Sequence, residues 1–199
     1  DSEDSRAGRE AVDFHHDAAA SIYDSLQKGD EAANIQLELT ALRMSANASP
    51  HMVRRAVVAA FMKRMASLIE EGLTPAQAAK KTIPTQQMLI ERTMFDRGDT
   101  HEDKADQVDF LLLVQADVCH RPDGEKIMLH VCNELYMGDA LEFEGVMQWW
   151  ADEKNEASDE LKQIKLAMGQ FVDAIKAAEE SEEESSEEET ESEEESDDE

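Results

Sequence analysis

The sequence predicts an all-α fold, a HEAT-like stack of antiparallel helical hairpins with a disordered acidic C-terminal tail. Three observations lead to this prediction. Only 8 glycines and 4 prolines occur among the 199 residues, so residues of high helix propensity dominate. Helix-capping signals recur along the chain and divide it into about nine helices. The loops between them are short, which makes consecutive helices antiparallel neighbours.

Four helices are expected in the first part of the chain, each bounded by a local signal. Ser49-Pro50 and Thr74-Pro75 each place an N-capping side chain before a proline at the first helical position. Gly29, Gly72 and the polar region at Asn47 are typical of helix ends. The expected helices run from about Phe14 to Lys28, from about Glu31 to Ala46, from Pro50 to Glu71, and from Pro75 to just before Pro84.

The remaining helices are bounded in the same way. Thr100 and Asp103 resemble a capping box that opens the apolar run at 108–114, and Arg121-Pro122-Asp123-Gly124 is typical of a turn. Around these two signals the expected helices run from about Gln86 to Arg97, along the run at 108–114, from Glu125 to Tyr136, from Leu141 to Asp152 and from Asp159 to Ala178.

The charge divides the chain into a foldable part and a tail. The 47 acidic residues outnumber the 19 basic ones, which gives a formal net charge of -28. Residues 179–199 contain 15 of the acids and no base, so the preceding part carries 32 acids against 19 bases, or -13. Like charges and a lack of apolar residues prevent the tail from building a core. We therefore expect a linker remnant at 1–11, a helical domain at 12–178 and a disordered tail at 179–199.

The composition also excludes several classes of function. A sequence pI of about 4.4 argues against binding to a nucleic-acid backbone, which requires a basic surface. The chain has no apolar run of membrane-spanning length and no apolar segment typical of a signal peptide near its N-terminus. Two cysteines are too few for a disulfide scaffold. A cytosolic protein without membrane or nucleic-acid partners is expected, and the missing initiator Met indicates a fragment of a longer polypeptide.

The second helix has an unusual arrangement of apolar and acidic residues. Residues that fall within about 60° of one another on a helical wheel form one apolar stripe, which consists of Ile35, Leu39, Leu42 and Ala46. A second apolar stripe consists of Leu37, Ala41 and Met44. Glu38 lies between them with Asn34 and Ser45. Because an unpaired buried charge is costly, Glu38 is expected at an exposed edge or beside a cation. The alternative is a solvated residue that merely borders the core.

No sequence motif for covalent catalysis or for a cofactor is present. The chain lacks a glycine-rich phosphate loop, a nucleophile elbow and an HExxH pair. Cys119-His120 and His130-Val131-Cys132 give only a weak zinc signal, because both fall within helical periodicity rather than at the spacing of structural zinc ligands. The interpretation preferred here is small buried side chains with neighbouring histidines. No metal and no cofactor is expected.

Trp149 and Trp150 lie beside acidic residues near the C-terminus. Consecutive residues on a helix point about 100° apart, so one tryptophan is expected in the core and the other at least partly outside. An exposed aromatic ring beside acids suits a Lys-rich partner through cation-π and charge contacts. Packing explains one of the two rings equally well. The acidic tail fits the same partner, or serves only to keep the domain in solution.

Four strings together resemble one family. They are LELTALRMSAN at 37–47, HMVRRAVVAAFMKRM at 51–65, QWWADE at 148–153 and FVDAIKAAEESEEE at 171–184. In combination they are similar to the C-terminal catalytic domains of the epsilon subunits of eukaryotic translation initiation factor two B, over about residues 12–199. Related HEAT-type domains end initiation factor five and the scaffold initiation factor four gamma. The first string is the one that is specific to the epsilon type.

This resemblance implies guanine-nucleotide exchange on the GTPase initiation factor two, through the G domain of its gamma chain and Lys-rich segments of its beta chain. It implies Leu37 and Glu38 as catalytic residues. It also implies two aromatic-acidic boxes that bind the partner, with the candidates Glu142, Glu144, Trp149, Trp150, Asp152, Glu153, Phe171, Asp173, Glu179 and Glu180. Ala174 stands where related second boxes have a functional tryptophan. The full-length protein would contact the other subunits of its complex through regions outside this chain.

Two other functions compete with nucleotide exchange. A non-catalytic acidic adaptor would dock on Lys-rich segments of translation factors without releasing nucleotide, and a chaperone of basic proteins would follow from the tail alone. Serines among the acids, at 181, 185, 186, 192 and 196, are in a context that acidophilic kinases use. Phosphorylation there would add about -1.5 to -2 charges at each site.

Overall fold

The protein is helical throughout the part of the chain that the structure describes. The computed structural model describes residues 3–94 and 103–194, with side chains at 6–94 and 103–181. Within these ranges it contains ten α-helices, which are α1 (Glu3–Lys28), α2 (Ala32–Ala46), α3 (Pro50–Glu70), α4 (Pro75–Thr82), α5 (Gln87–Met94), α6 (Ala105–Val118), α7 (Gly124–Met137), α8 (Phe143–Ala151), α9 (Asp159–Ala167) and α10 (Gly169–Glu194). Two short 3₁₀ segments lie at Pro84–Gln86 and Glu153–Glu156.

The local signals place the helix ends where they were expected in the first half. The Ser49 side chain accepts a hydrogen bond from the Met52 amide at the start of α3. Thr74 and Gln77 form a reciprocal capping box at the start of α4. Asn47 closes α2 with a φ of 50°, a backbone conformation that asparagine tolerates well. These caps confirm the predicted boundaries of α2, α3 and α4.

The helices stack in two layers. One layer runs α1, α3, α6, α8, α10, each packed on the next, and the second contains the contacts of α2 with α5, α4 with α7, and α7 with α9. Contacts of α1 with α2, α3 with α4, and α6 with α7 join the layers. Large side chains such as Phe61, Phe110 and Trp149 are buried between them. The predicted all-α HEAT-like stack is confirmed.

The structure differs from the predicted boundaries at two places. Helix α1 begins at Glu3, although residues 1–11 were predicted to be a linker. The predicted helix from Asp159 to Ala178 is divided at Met168, which is 1% exposed and ends α9 by donating its backbone N–H to carbonyls of that helix. This break lets α9 pack on α7 while α10 packs on α8. Arg97 and Thr100 lie outside the described residues, so the fifth helix end and the capping box stay predictions.

The backbone of α10 is described as far as Glu194, and the end of the predicted acidic tail, 195–199, lies outside the described residues. Glutamate has a high helix propensity, which gives the backbone a local reason to remain helical without a core. The last acidic residue with a described tertiary hydrogen bond is Glu179, which accepts from the Tyr136 hydroxyl at 3.4 Å. Among the described residues, no helix combines the length and the apolar character needed to cross a membrane.

Candidate functional site

The outer face of α2 carries an exposed apolar surface. Ile35 and Leu39 point into the core, and Leu42 is partly buried against it. The opposite stripe is in solvent, with Leu37 71% and Met44 77% exposed and Ala41 also exposed. We call Leu37, Ala41 and Met44 the apolar ridge. Exposed large apolar side chains on consecutive turns of one helix are typical of a surface that a partner covers.

Glu38 lies at one edge of the apolar ridge and is exposed. Its Oε1 accepts a hydrogen bond of 2.6 Å from the Ser21 hydroxyl of α1. The described partner is thus a neutral hydroxyl rather than a buried base. Lys28 has a raised pKa, chiefly because of its hydrogen bond to Asp24, and Glu38 contributes least among the causes. The prediction that Glu38 lies at an exposed edge is confirmed.

A second surface feature is an acidic groove between α7, α8 and α10. Its volume is about 490 Å³, and its lining residues are Tyr136, Met137, Asp139, Leu141, Glu142, Phe143, Glu144 and Glu179. Among the described lining residues, four are carboxylates and none is basic, while Tyr136 and Phe143 add aromatic surface. The groove brings together Glu142 and Glu144 of the first predicted box and Glu179 of the second. Its chemistry suits a segment that carries lysines.

The two tryptophans occupy different environments. Trp149 is 1% exposed, and its indole N–H donates to Gln115 Oε1 at 3.2 Å. Trp150 is half-buried, with Lys165 Nζ 5.0 Å from its ring centroid. The prediction of one core ring and one partly exposed ring is confirmed. The Trp149 ring is enclosed in the core, and its role in binding a partner stays a prediction.

Three other predicted contact residues have structural partners. Glu142 forms an ion pair with Lys104 at 2.7 Å and accepts from Gln107 at 2.6 Å. Phe171 is 8% exposed, and its ring supports the groove by an edge contact with Tyr136. Asp152 accepts from the Lys154 amide and caps a 3₁₀ segment. The predicted partner contact of Phe171 stays a prediction, and Glu142 and Asp152 are partly engaged within the fold.

The other predicted contact residues are at the surface. Glu144, Glu153, Asp173 and Glu180 are all exposed. Ala174 is exposed as well, so the aromatic contact implied at this position by the resemblance is missing from the surface. Leu37 and Glu38 lie on α2, which has no principal packing contact with α8 or α10. The structure therefore presents two separate surfaces, the apolar ridge with Glu38 and the acidic groove.

The residues with a weak zinc signal are not assembled into a site in the described part of the chain. Cys132 is buried, and burial raises the pKa of its thiol to about 12. Cys119 is half-buried and its Sγ contacts the Ala116 carbonyl. No cluster of three or more metal-ligating side chains occurs among the described residues. Cys132 behaves as the small buried side chain that the sequence favoured.

Comparisons with known proteins identify relatives of the chain. Residues 106–185 match the W2 family, described as eIF4-gamma/eIF5/eIF2-epsilon. Over 168 residues the chain is 30% identical to the translation initiation factor eIF2B subunit epsilon of Schizosaccharomyces pombe. This alignment covers 84% of the chain and 23% of that relative, so the chain spans about a quarter of the relative's length. Residues 106–185 thus match the W2 domain family, and the chain as a whole is similar to the C-terminal domain of an eIF2B epsilon subunit.

Proposed function

We propose that this chain acts in translation initiation as a guanine-nucleotide exchange domain that promotes GDP release from the GTPase initiation factor two. The relation to an eIF2B epsilon subunit supports a role in translation initiation, which takes place in the cytoplasm. The exposed carboxylate of Glu38 at the edge of the apolar ridge is the observation that carries the more specific proposal. In this proposal the surface acts only by binding the GTPase, and no covalent bond forms or breaks.

The apolar ridge supplies the contact area for the GTPase. Leu37 and Met44 lie two helical turns apart, so a partner surface of about 10 Å in width covers both. Burying two large apolar side chains contributes about 1.5–3 kcal/mol each before the costs of association. Such binding energy accelerates release only if the nucleotide-free GTPase gains more of it than the GDP-bound form. Leu37 is therefore assigned to partner binding beside Glu38.

Glu38 makes the chain bind the nucleotide-free GTPase more tightly than the GDP-bound form. When the GTPase loses GDP, the groups that held the phosphates and Mg²⁺ lose their anionic partner. A carboxylate in reach of those groups binds the empty state better than the loaded state. Linkage then requires that the complex bind nucleotide more weakly by the same factor. The Ser21 hydrogen bond fixes one carboxylate oxygen, which reduces the rotamer entropy lost on contact.

The acidic groove is the proposed docking site for a Lys-rich segment of the same partner. Asp139, Glu144 and Glu179 line it with carboxylates, and the acids of 179–199 extend the negative charge. Docking there raises the effective concentration of the G domain at the apolar ridge without altering the exchange step. The exposed acids Glu153, Asp173 and Glu180 lie outside the groove and add to its field.

The test replaces Glu38 by Gln, which removes the charge and keeps the shape. Release of fluorescent GDP from purified initiation factor two should slow by about tenfold or more, equivalent to about 1.4 kcal/mol of lost transition-state stabilisation. Glu70→Gln is the matched control, because Glu70 is also an exposed helical glutamate. An exchange rate for Glu38→Gln equal to that of Glu70→Gln would show that the charge has no role.

A non-catalytic adaptor remains the competing function, and the acidic groove is the observation that favours it. An adaptor would bind the GTPase through the groove, yet GDP release would not accelerate with any concentration of the chain. The unmodified chain in the same release assay separates the two functions. Acceleration by wild type that is lost on replacing Glu38 supports exchange activity. Binding without acceleration supports the adaptor.

A further inference from the structure

A second cavity opens beside the acidic groove, at the C-terminal end of α7. Its volume is about 190 Å³, and its lining residues are Ile83, Pro84, Gln87, Glu134, Leu135, Met137, Gly138 and Ala140. Ile83, Leu135 and Ala140 are each at most 3% exposed and form its apolar floor. Pro84 and Met137 are exposed at its rim. We call this cavity the apolar pocket; none of its lining residues belongs to the two predicted aromatic-acidic boxes.

Met137 connects the apolar pocket to the acidic groove. Its side chain lines both cavities, so the two adjoin, and it is 73% exposed. A single exposed methionine is normal at a protein surface. A methionine that separates an apolar pocket from an acidic groove has a more specific meaning, because its flexible side chain adapts to a bound partner. The two cavities together form one surface with an apolar end and an acidic end.

The turn after α7 holds this arrangement in place. The backbone N–H of Asp139 donates to the Tyr136 carbonyl at 3.1 Å, and that of Ala140 donates to the Leu135 carbonyl at 2.9 Å. Asp139 has a φ of 59° and lines the groove, whereas the next residue, Ala140, lines the apolar pocket. Gln87 Nε2 donates to the carbonyl of Gly138 and ties the turn to α5. The surface is therefore formed before a partner binds, which lowers the cost of binding.

We propose that the apolar pocket takes one large aliphatic side chain of the Lys-rich segment that docks in the acidic groove. The preferred ligand is then a run of lysines that contains a Leu, Ile or Met, rather than lysines alone. The carboxylates of the groove supply attraction that salt screens, while burial of the aliphatic side chain supplies affinity that salt does not screen. This inference rests on the proposed docking of a Lys-rich segment in the groove.

The charges around Met137 favour a basic segment over other occupants. Glu134 lines the apolar pocket, and Asp139 and Glu144 line the groove, so carboxylates lie on both sides of Met137. Lysines on either side of the aliphatic residue find an opposite charge there. A second copy of this chain, with its net charge of -28, is repelled by the same carboxylates. The acidic segment of the chain itself is disfavoured for the same reason.

The test measures binding of the full chain to fluorescein-labelled nonapeptides of lysine in which one position is Leu or Ala. Leu is placed in turn at each of the nine positions, so that the result does not depend on one chosen spacing. At the best position the Leu peptide should bind about tenfold more tightly than the Ala peptide, equivalent to about 1.4 kcal/mol, because the pocket buries its side chain. At about 0.5 M salt all peptides should bind more weakly, while the ratio between Leu and Ala persists.

Three variants locate the preference for Leu. Met137→Gln keeps the size of the side chain and removes its apolar end, and should reduce the preference to less than about threefold. Leu166→Gln is the matched control and should keep the full preference, because Leu166 is 65% exposed on α9 and is not among the described lining residues of either cavity. Asp139→Asn suits the positive φ of this position and should weaken the Leu and Ala peptides by the same factor.

The outcomes separate this inference from the proposed function. Equal binding of Leu and Ala peptides at every position would overturn the inference, and so would a full preference for Leu in Met137→Gln. If none of the peptides binds, docking in the groove is rejected and the inference with it. A chain that prefers Leu peptides but releases no GDP supports the apolar pocket and rejects exchange activity. GDP release without any preference for Leu supports exchange activity and rejects the apolar pocket.

Discussion

Arg54 ties three helices together through a buried cation. Its side chain is 7% exposed and forms ion pairs with Asp109 at 2.7 Å and Asp106 at 3.2 Å. It also donates to the Thr93 carbonyl of α5 at 3.2 Å. A buried charge without its partner is costly, so the cation and its two carboxylates on α6 depend on one another. This single residue joins α3 to α5 and α6.

Replacing Arg54 by Met should lower the free energy of unfolding by about 3–5 kcal/mol, because Asp106 remains buried without its cation. Urea denaturation measures the change. Arg55→Met is the matched control, since Arg55 is the next residue and is exposed; it should change stability by at most about 0.5 kcal/mol. Adding Asp106→Asn to Arg54→Met should recover part of the loss. Similar destabilisation by both single substitutions would contradict the assigned role of the network.

Helix α8 uses its two tryptophans differently. Trp149→Phe should destabilise the domain by about 2 kcal/mol, because the smaller ring leaves a void and Gln115 Oε1 loses its donor. Trp150→Phe should change stability by less than about 1 kcal/mol, since its ring is half-buried and its described cation-π contact is with Lys165. Thermal unfolding of both variants checks the contrast. Equal losses of stability would mean that the two rings are buried alike in solution.

At the scale of single helices, features that depend on neighbouring residues were predicted from the sequence, whereas contacts between helices were not. The caps at Ser49 and Thr74 were predicted because a capping motif acts within four residues. The exposure of Glu38 followed from the wheel of its own helix. The Ser21 hydrogen bond was not predicted, since Ser21 lies on α1, 17 positions away, and the contact depends on how two helices pack. The division at Met168 was missed for the same reason, since it accompanies the packing of α9 on α7 and of α10 on α8.

At the scale of the whole molecule, the apolar ridge and the acidic groove lie on different helices of the stack. The apolar ridge and its flanking groups lie on α2, in the first part of the stack, while the acidic groove lies between α7, α8 and α10. Local strings in the sequence singled out Leu37 and Glu38 on the first surface and Glu142, Glu144 and Glu179 on the second. The sequence did not predict that Tyr136 and Asp139 complete the groove. That arrangement arises from the stacking of helices distant in sequence.

The acidic segment beyond the groove should attract the Lys-rich partner over a long range, so its effect on binding should weaken as the salt concentration rises. Truncation after Ser181 retains Glu179 in the groove and removes 13 of the 15 acids of 179–199, which changes the net charge from -28 to -15. We expect the KM for GDP release to rise several-fold at about 50 mM salt and the difference to disappear at about 0.5 M, where the screening length is only a few ångströms. The maximal rate should stay unchanged, because a tether acts on concentration and not on the exchange step. A second variant that keeps the length of the segment but replaces these acids by Gln and Asn should behave like the truncation. If this variant instead behaves like wild type, the length of the segment matters and its charge does not.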